Sequence, residues 1–135
     1  MHSVTIIDPT APLRDWLRTL ATVTAKTGQR VYAGGLPKDP TLPAISLFRV
    51  AGGIAEPLEA GVFQFDCWAT KASTAAGVKD ALCTALLSEL PQALGTSGLR
   101  FMGATVQSVV FLPDPDAPDV HRYSVTAQVV TIQAS

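Results

Sequence analysis

The sequence predicts an α+β fold: a largely antiparallel sheet of four to five strands with two helices on one face. Helix and strand patterns follow each other in the order α-β-β-β-α-β-β. Strands that are neighbours in sequence are joined by connections short enough for antiparallel pairing. Each helical segment carries one apolar stripe, which favours packing of both helices on the same side of the sheet. The length of 135 residues suits a single domain over residues 1–135.

The first helix is predicted to begin at Thr10, a residue type that can cap a helix, and to end at Gly28. Apolar side chains recur along it at helical spacing, at Leu13, Trp16, Leu17, Leu20 and Val23. A short strand from Arg30 to Ala33 follows. Glycines and prolines then predict a loop from Gly34 to Pro43.

The next two strands are predicted over Ala44 to Ala51, ended by Gly52-Gly53, and over Gly61 to Thr70. Residues in the second strand alternate between two faces. The core face is predicted to carry Phe63, Phe65, Cys67 and Ala69. The opposite face carries Val62, Gln64, Asp66 and Trp68, so it is half-wet or faces a neighbour.

The second helix is predicted to begin with Ser73 or Thr74 as its cap and to run to Leu90. Two long strands follow, at about Arg100 to Leu112 and Val120 to Gln133. Between them, the hairpin tip Pro113 to Asp119 holds three prolines and three aspartates. The prolines stiffen this tip, and the aspartates give it a local negative charge.

Composition limits the classes of function. The net charge is −1 and only 16% of residues are charged, against about 25% in a typical soluble domain. The ten basic residues do not cluster, which argues against a nucleic-acid groove. No apolar run reaches the ~18 residues of a membrane helix, and the amino terminus lacks a signal-peptide pattern. We therefore expect a cytosolic chain that buries surface against other subunits, or else a monomer with many small surface residues.

Few residues offer chemistry. Of the two histidines, only His121, beside Asp119, could serve as a general base, and a surface histidine near a hairpin fits as well. Cys67 and Cys83 have no metal or redox spacing, and both are predicted to be small buried fillers. Phosphate-loop and nucleophile-elbow motifs are missing. These residues therefore favour a non-catalytic protein without a metal site.

Four phrases carry a resemblance to a known family. They are the amino-terminal helix, RVYAGGLPKDPTLPAISLFRVAGG, FQFDCWATKASTAAGVKDAL and VVFLPDPDAPDVHRYSVTAQVV. In this order and spacing, the chain resembles the tail terminator (tail completion) proteins of long-tailed bacteriophages and prophages. Phe63 stands where a valine is common in the family.

The resemblance implies a structural virion protein without catalytic residues or cofactor. Such proteins form a ring, usually of six copies, on the head-proximal end of the tail tube. The ring stops tube polymerisation and presents a surface to the head connector or head-completion protein. DNA would pass through the bore without specific binding. The expected location is the virion tail, after assembly in the host cytoplasm, with no membrane partner.

Three groups of residues are expected at interfaces. The first group is Gln64, Asp66 and Trp68, the second is Lys38 and Asp39 in the proline-rich loop, and the third is Asp114, Asp116 and Asp119. Asp66 is expected to pair with Arg49 or Arg122, or with a group across a subunit boundary. Trp68 would anchor a subunit contact or pack within its own chain. The aspartates would meet a basic patch, line the bore, or belong to a solvated hairpin tip.

Two alternatives remain open at the level of sequence. The first is another neck, head-completion or tail-tube subunit of the same assembly. The second is a small oligomeric enzyme or ligand-binding domain with its pocket between subunits. A closed ring favours a terminator, whereas a deep cleft at His121 and Asp119 would favour an enzyme.

Overall fold

The computed structural model describes residues 7–55, 58–90, 99–113 and 119–133. Three helices, a π-helical turn and five strands occupy these ranges. In chain order they are α1 Thr10–Leu17, α2 Ala21–Thr27, β1 Val31–Ala33, β2 Ala44–Ala55, β3 Leu58–Ala69, α3 Ala72–Thr84 with the π-helical turn Ala85–Glu89, β4 Leu99–Phe111 and β5 His121–Gln133.

The five strands form one sheet in the order β1-β2-β3-β5-β4. Only β1 pairs in parallel, with β2, and the other three pairings are antiparallel. The hairpin of β4 and β5 folds back so that β5 lies beside β3, with α3 connecting β3 to β4. The prediction of a largely antiparallel α+β sheet is confirmed.

The helices pack on one face of the sheet, which we call the covered face. Their buried side chains, among them Leu13, Val23 and Leu82, form one cluster with Phe65 and Val125 of the strands. Phe63, Phe65, Cys67 and Ala69 of β3 are all fully buried on this side. The predicted core face of that strand is therefore confirmed. The opposite side of the sheet is called the open face.

The first helical segment is two helices, so the single helix predicted from Thr10 to Gly28 is wrong. Leu20 has an extended backbone (φ −91°, ψ 122°), which breaks the helical path before α2. The Thr19 hydroxyl donates to the Trp16 carbonyl at 2.6 Å and so competes for a helical acceptor. Gly28, at φ 59°, does end α2 as expected.

Side-chain capping was also assigned to the wrong residues. The Asp8 carboxylate, not Thr10, serves the start of α1, because it accepts from the Thr10 backbone N–H at 3.0 Å and from its hydroxyl at 2.8 Å. Lys71 occupies the cap position of α3 without a side-chain hydrogen bond. Ser73 and Thr74 are exposed within the first turn of that helix.

Gly52-Gly53 does not end the second strand. β2 continues to Ala55 and pairs with β3 from Leu58 onward, so the two strands form a long hairpin. Gly52 lies opposite Gly61 at φ 113°, and a Cβ at position 52 would be 2.2 Å from the Ala60 carbonyl oxygen. Glycine at this position lets the two strands approach closely, whereas we expected it to end the strand.

The last two strands lie within one residue of their predicted bounds. The β4–β5 register shifts between Phe101 and Gly103 and again between Val106 and Ser108. The first shift lies at Gly103, and glycine within a strand often marks such a bulge. The sheet therefore has an irregular edge strand at β4.

Candidate assembly surface

A polar row crosses the open face of the sheet. Ser46, Asp66 and Ser124 lie side by side on β2, β3 and β5. All three are buried, although the described helices pack on the other face. Among the described residues, the side chains that contact this row are Gln64, Trp68 and Arg122 of the sheet itself.

Asp66 receives its contacts from its own chain. Gln64 Nε2 donates to the carboxylate at 3.0 and 3.3 Å. Arg122 Nη1 lies 3.8 Å from Oδ2, close enough for charge attraction but too far for a hydrogen bond. The Asp66 side chain is only 5% exposed, whereas Arg122 is 31% exposed. Of the partners considered from sequence, Arg122 is the one beside Asp66.

Trp68 completes the cluster. It lies opposite Arg122 in the β3–β5 register, with the guanidinium carbon 4.8 Å from the ring centroid. This geometry supports a cation–π interaction. The indole Nε1 donates to Ser46 Oγ at 3.0 Å. Trp68 therefore packs within its own chain while staying half-exposed on the open face.

Arg49 has a different partner from the one considered, because it pairs with Glu59 across the β2–β3 hairpin. Glu59 is 1% exposed and its second carboxylate oxygen, Oε2, has no hydrogen-bond partner among the described residues. Thr131, opposite Glu59 on β5, also has a buried hydroxyl without such a partner. Sequence reasoning missed this pair, although the alternation that buries Phe63 also points Glu59 to the covered face.

Large apolar side chains remain exposed in two regions of the sheet. The β2–β3 hairpin exposes Phe48, Val50, Ile54 and Leu58, and β4 exposes Met102, Val109, Val110 and Phe111. Each is more than a third exposed. The described chain thus has the surplus apolar surface that its low charge content led us to expect.

The predicted loop residues lie apart from the polar row. Lys38 and Asp39 are exposed, and Asp39 has a left-handed backbone at φ 51°. Asp119 is exposed just before β5. Asp114 and Asp116 lie outside the described residues. The loop reaches β2 at Ala44, so it meets the same end of the sheet as Asp119, since β2 and β5 both begin there.

The candidate chemical groups, His121 and the two cysteines, lie in different surroundings. His121 stacks on Phe111 with the ring centroids 6.1 Å apart. Burial raises the pKa of the Cys67 thiol well above its usual range, and burial also raises the pKa of Cys83, which is half-buried. A raised pKa lowers the thiolate fraction and hence the nucleophilicity. Cys67 is the buried filler expected, whereas Cys83 is only partly enclosed.

The described residues also bear on two other classes of site. No three histidine, cysteine, aspartate or glutamate side chains in these residues converge as metal ligands would. None of the described helices has the length and apolar character needed to span a membrane.

Comparison with protein-family models matches residues 11–132 to the family described as tail completion protein gp17. The chain belongs to this family. The matched range includes nearly all of the described helices and strands. As a tail completion protein, the chain is a structural component of phage tails, and the resemblance inferred from its four sequence phrases is confirmed.

A solved structure shares the fold. It is a chain titled "Virion of native gene transfer agent (GTA) particle", with a TM-score of 0.70 and 19% sequence identity. The alignment covers 91% of this tail completion protein and 93% of the other chain. Comparison with curated protein sequences found no relative.

Proposed function

We propose that this tail completion protein forms a ring, usually of six copies, that caps the head-proximal end of the tail tube. The ring stops tube polymerisation and provides the surface that joins tail to head. The observation that carries the proposal is the family match over residues 11–132. The exposed apolar side chains of the β2–β3 hairpin and of β4 support it, because a ring subunit must bury surface against its neighbours.

The mechanism is capping by complementarity. A growing tube exposes an unfinished interface at its end. A ring that matches this interface on one side, and does not repeat it on the other, ends growth. The partners are further copies of this chain, the tail tube protein and the head connector or head-completion protein. The protein acts without catalytic residues or cofactor, first in the host cytoplasm and then in the virion tail.

We assign the candidate residues to three parts of this assembly. Gln64, Asp66 and Trp68 belong to a contact between subunits, where the half-exposed indole is the anchor. Lys38 and Asp39 lie on a loop that meets the tube or the connector, because loops on a rigid scaffold carry specificity. Asp114, Asp116 and Asp119 face the bore, where negative charge repels DNA phosphates and lets DNA slide.

Loss of the protein tests the function directly. Phage assembled without it should carry overlong tails that fail to join heads, and supplying the protein should restore tail length. Tails of normal length in its absence would contradict the proposal. In size exclusion with light scattering, purified protein mixed with tail tubes should elute with the tubes, and a free ring of six 14.2 kDa chains should measure about 85 kDa.

The aspartate tip has its own test. Replacing Asp114, Asp116 and Asp119 together with Asn removes three charges and keeps the side-chain shape. We expect joined particles in normal number but slower DNA ejection, because phosphates would adhere to the bore. Unchanged ejection would remove these residues from the mechanism. Asp80→Asn, at an exposed aspartate of α3 outside the three groups, serves as a control for the loss of one acidic charge.

A further inference from the structure

The described sheet leaves main-chain groups open on both of its sides. On one side, β1 pairs only with Ile45 to Leu47 of β2, so the remainder of β2, from Phe48 to Ala55, lies at an edge. On the other side, β4 is the outermost strand along its whole length. Open strand edges present rows of N–H and C=O groups that another strand can pair with.

The two edges have compatible directions. β2, β3, β5 and β4 follow each other in the sheet, and each neighbouring pair is antiparallel. Three reversals make β4 antiparallel to β2. When a second copy is placed beside the first without turning its sheet over, β4 of one copy therefore meets β2 of the next in antiparallel orientation.

Hydrogen bonds identify the main-chain groups that face these edges. Ile45 N–H donates to the Arg30 carbonyl at 3.0 Å, and the Leu47 carbonyl accepts from Gly34 N–H at 2.8 Å. Ile45 and Leu47 thus face away from β3, and by the same alternation so does Arg49. The register shift between Arg49 and Ala51 moves the alternation by one residue, so Gly52 and Ile54 face the open edge beyond it. On β4, Leu112 N–H donates to the Arg122 carbonyl at 2.9 Å. Antiparallel ladders alternate, so Val109 and Phe111 direct their main-chain groups to the open edge.

Side chains at both edges favour pairing over protection. Edge strands of monomeric proteins usually carry charged residues that prevent association. Phe101 to Phe111 contain none, and within residues 48–55 the one charged residue is Arg49, whose charge is paired with Glu59. They expose large apolar side chains instead, including Ile54 on β2 and Val109 on β4. The register shifts within both strands add curvature, which a sheet needs if it is to follow a ring.

We propose that residues 48–55 of β2 in one copy pair antiparallel with β4 of the next copy, so that a continuous sheet runs around the ring. This inference rests on the proposed ring and adds a main-chain contact between subunits to the side-chain contact assigned to the open face. The partner is a second copy because a single chain carries both halves of the contact. A head-to-tail contact of this kind uses each edge once per subunit and closes when the rotation allows it.

The decisive variant is Val109→Pro, with Val109→Thr as its matched control. Proline removes an N–H that faces the open edge, so it breaks no bond within the sheet of one copy. Threonine keeps the N–H and the branched shape. We expect Val109→Pro to weaken ring formation at least tenfold in light scattering and Val109→Thr to assemble as the wild type does. Normal assembly of the proline variant, or equal loss in both, would overturn strand pairing.

Amide hydrogen exchange of the wild type provides a second measurement, which holds even where the proline variant misfolds. Val109 and Phe111 should gain protection when rings form, and unchanged exchange would overturn the inference. Tail tubes could also protect these amides while the chain stays monomeric. That result would assign the open edge to the tube protein and would likewise overturn the inference. If rings form normally while the β4 amides stay unprotected, this inference is wrong and the proposed function still stands. If the wild-type protein forms no ring with tail tubes, the proposed capping function itself is wrong.

Discussion

The covered and open faces of the sheet bury their residues by different means. On the covered face, helices exclude water from Phe63, Phe65 and Cys67 of β3. On the open face, the alternate residue Asp66 is almost as inaccessible, but its neighbours Gln64, Trp68 and Arg122 enclose it. Burial is therefore no measure of distance from the protein surface. On the open face it records a cluster of polar side chains that pack around one carboxylate, although Arg122 Nε is buried there without a hydrogen-bond partner among the described residues.

The largest expected effect is a difference in the free energy of unfolding between two variants. Each variant truncates one aromatic side chain, one on the covered face and one on the open face. Phe65→Ala empties a fully buried site, and we expect the free energy of unfolding to fall by about 4 kcal/mol. Trp68→Ala removes one hydrogen bond and one cation–π contact from a half-exposed site, so we expect a loss of about 2 kcal/mol. Urea unfolding measures both values. Equal losses would show that the open face is packed like a core.

A smaller contrast concerns the two buried carboxylates. Arg49→Met leaves Glu59 buried without its cation, and we expect a loss of about 3 kcal/mol in urea unfolding. Arg122→Met should cost only about 1 kcal/mol, because Gln64 still donates to Asp66. The double variant Arg49→Met with Glu59→Leu removes both charges and should recover part of the first loss. The ranking is wrong if Arg122→Met proves the more harmful change.

The smallest effect concerns the thiols. Burial raises the pKa of Cys67 in the folded protein, so above about pH 8.5 the unfolded chain loses a proton that the folded chain keeps. The free energy of unfolding should therefore decline as pH rises through that range, and Cys67→Ala should reduce the decline. An equally steep decline in the variant would contradict this assignment.

Alkylation separates the two thiols at constant pH. At pH 8 we expect Cys83 to react slowly, since it is half-buried with a raised pKa, and Cys67 to react only on unfolding. Mass spectrometry of the labelled protein identifies the modified residue. Rapid labelling of Cys67 in the folded chain would show that the covered face opens.

Local patterns predicted much of this architecture. Alternation in Phe63 to Ala69 identified the covered face, and the element order predicted an antiparallel sheet with helices on one side. Predictions failed where the same residue type fits two different local structures. Gly52-Gly53 is typical of a strand end, but here glycine lets two strands approach closely. The apolar period from Leu13 to Val23 runs through a break that only the backbone at Leu20 shows.

The sequence by itself determined which residues are apolar, in what period and in what order, because these depend on neighbours along the chain. The resemblance of its four phrases to a known family was also enough to indicate a phage tail protein. Only the tertiary structure decided that Arg122 rather than Arg49 lies beside Asp66, that Glu59 is buried, and that β2 and β4 form the open edges. Pairing between distant strands sets those contacts, and strand register is a property of the whole sheet.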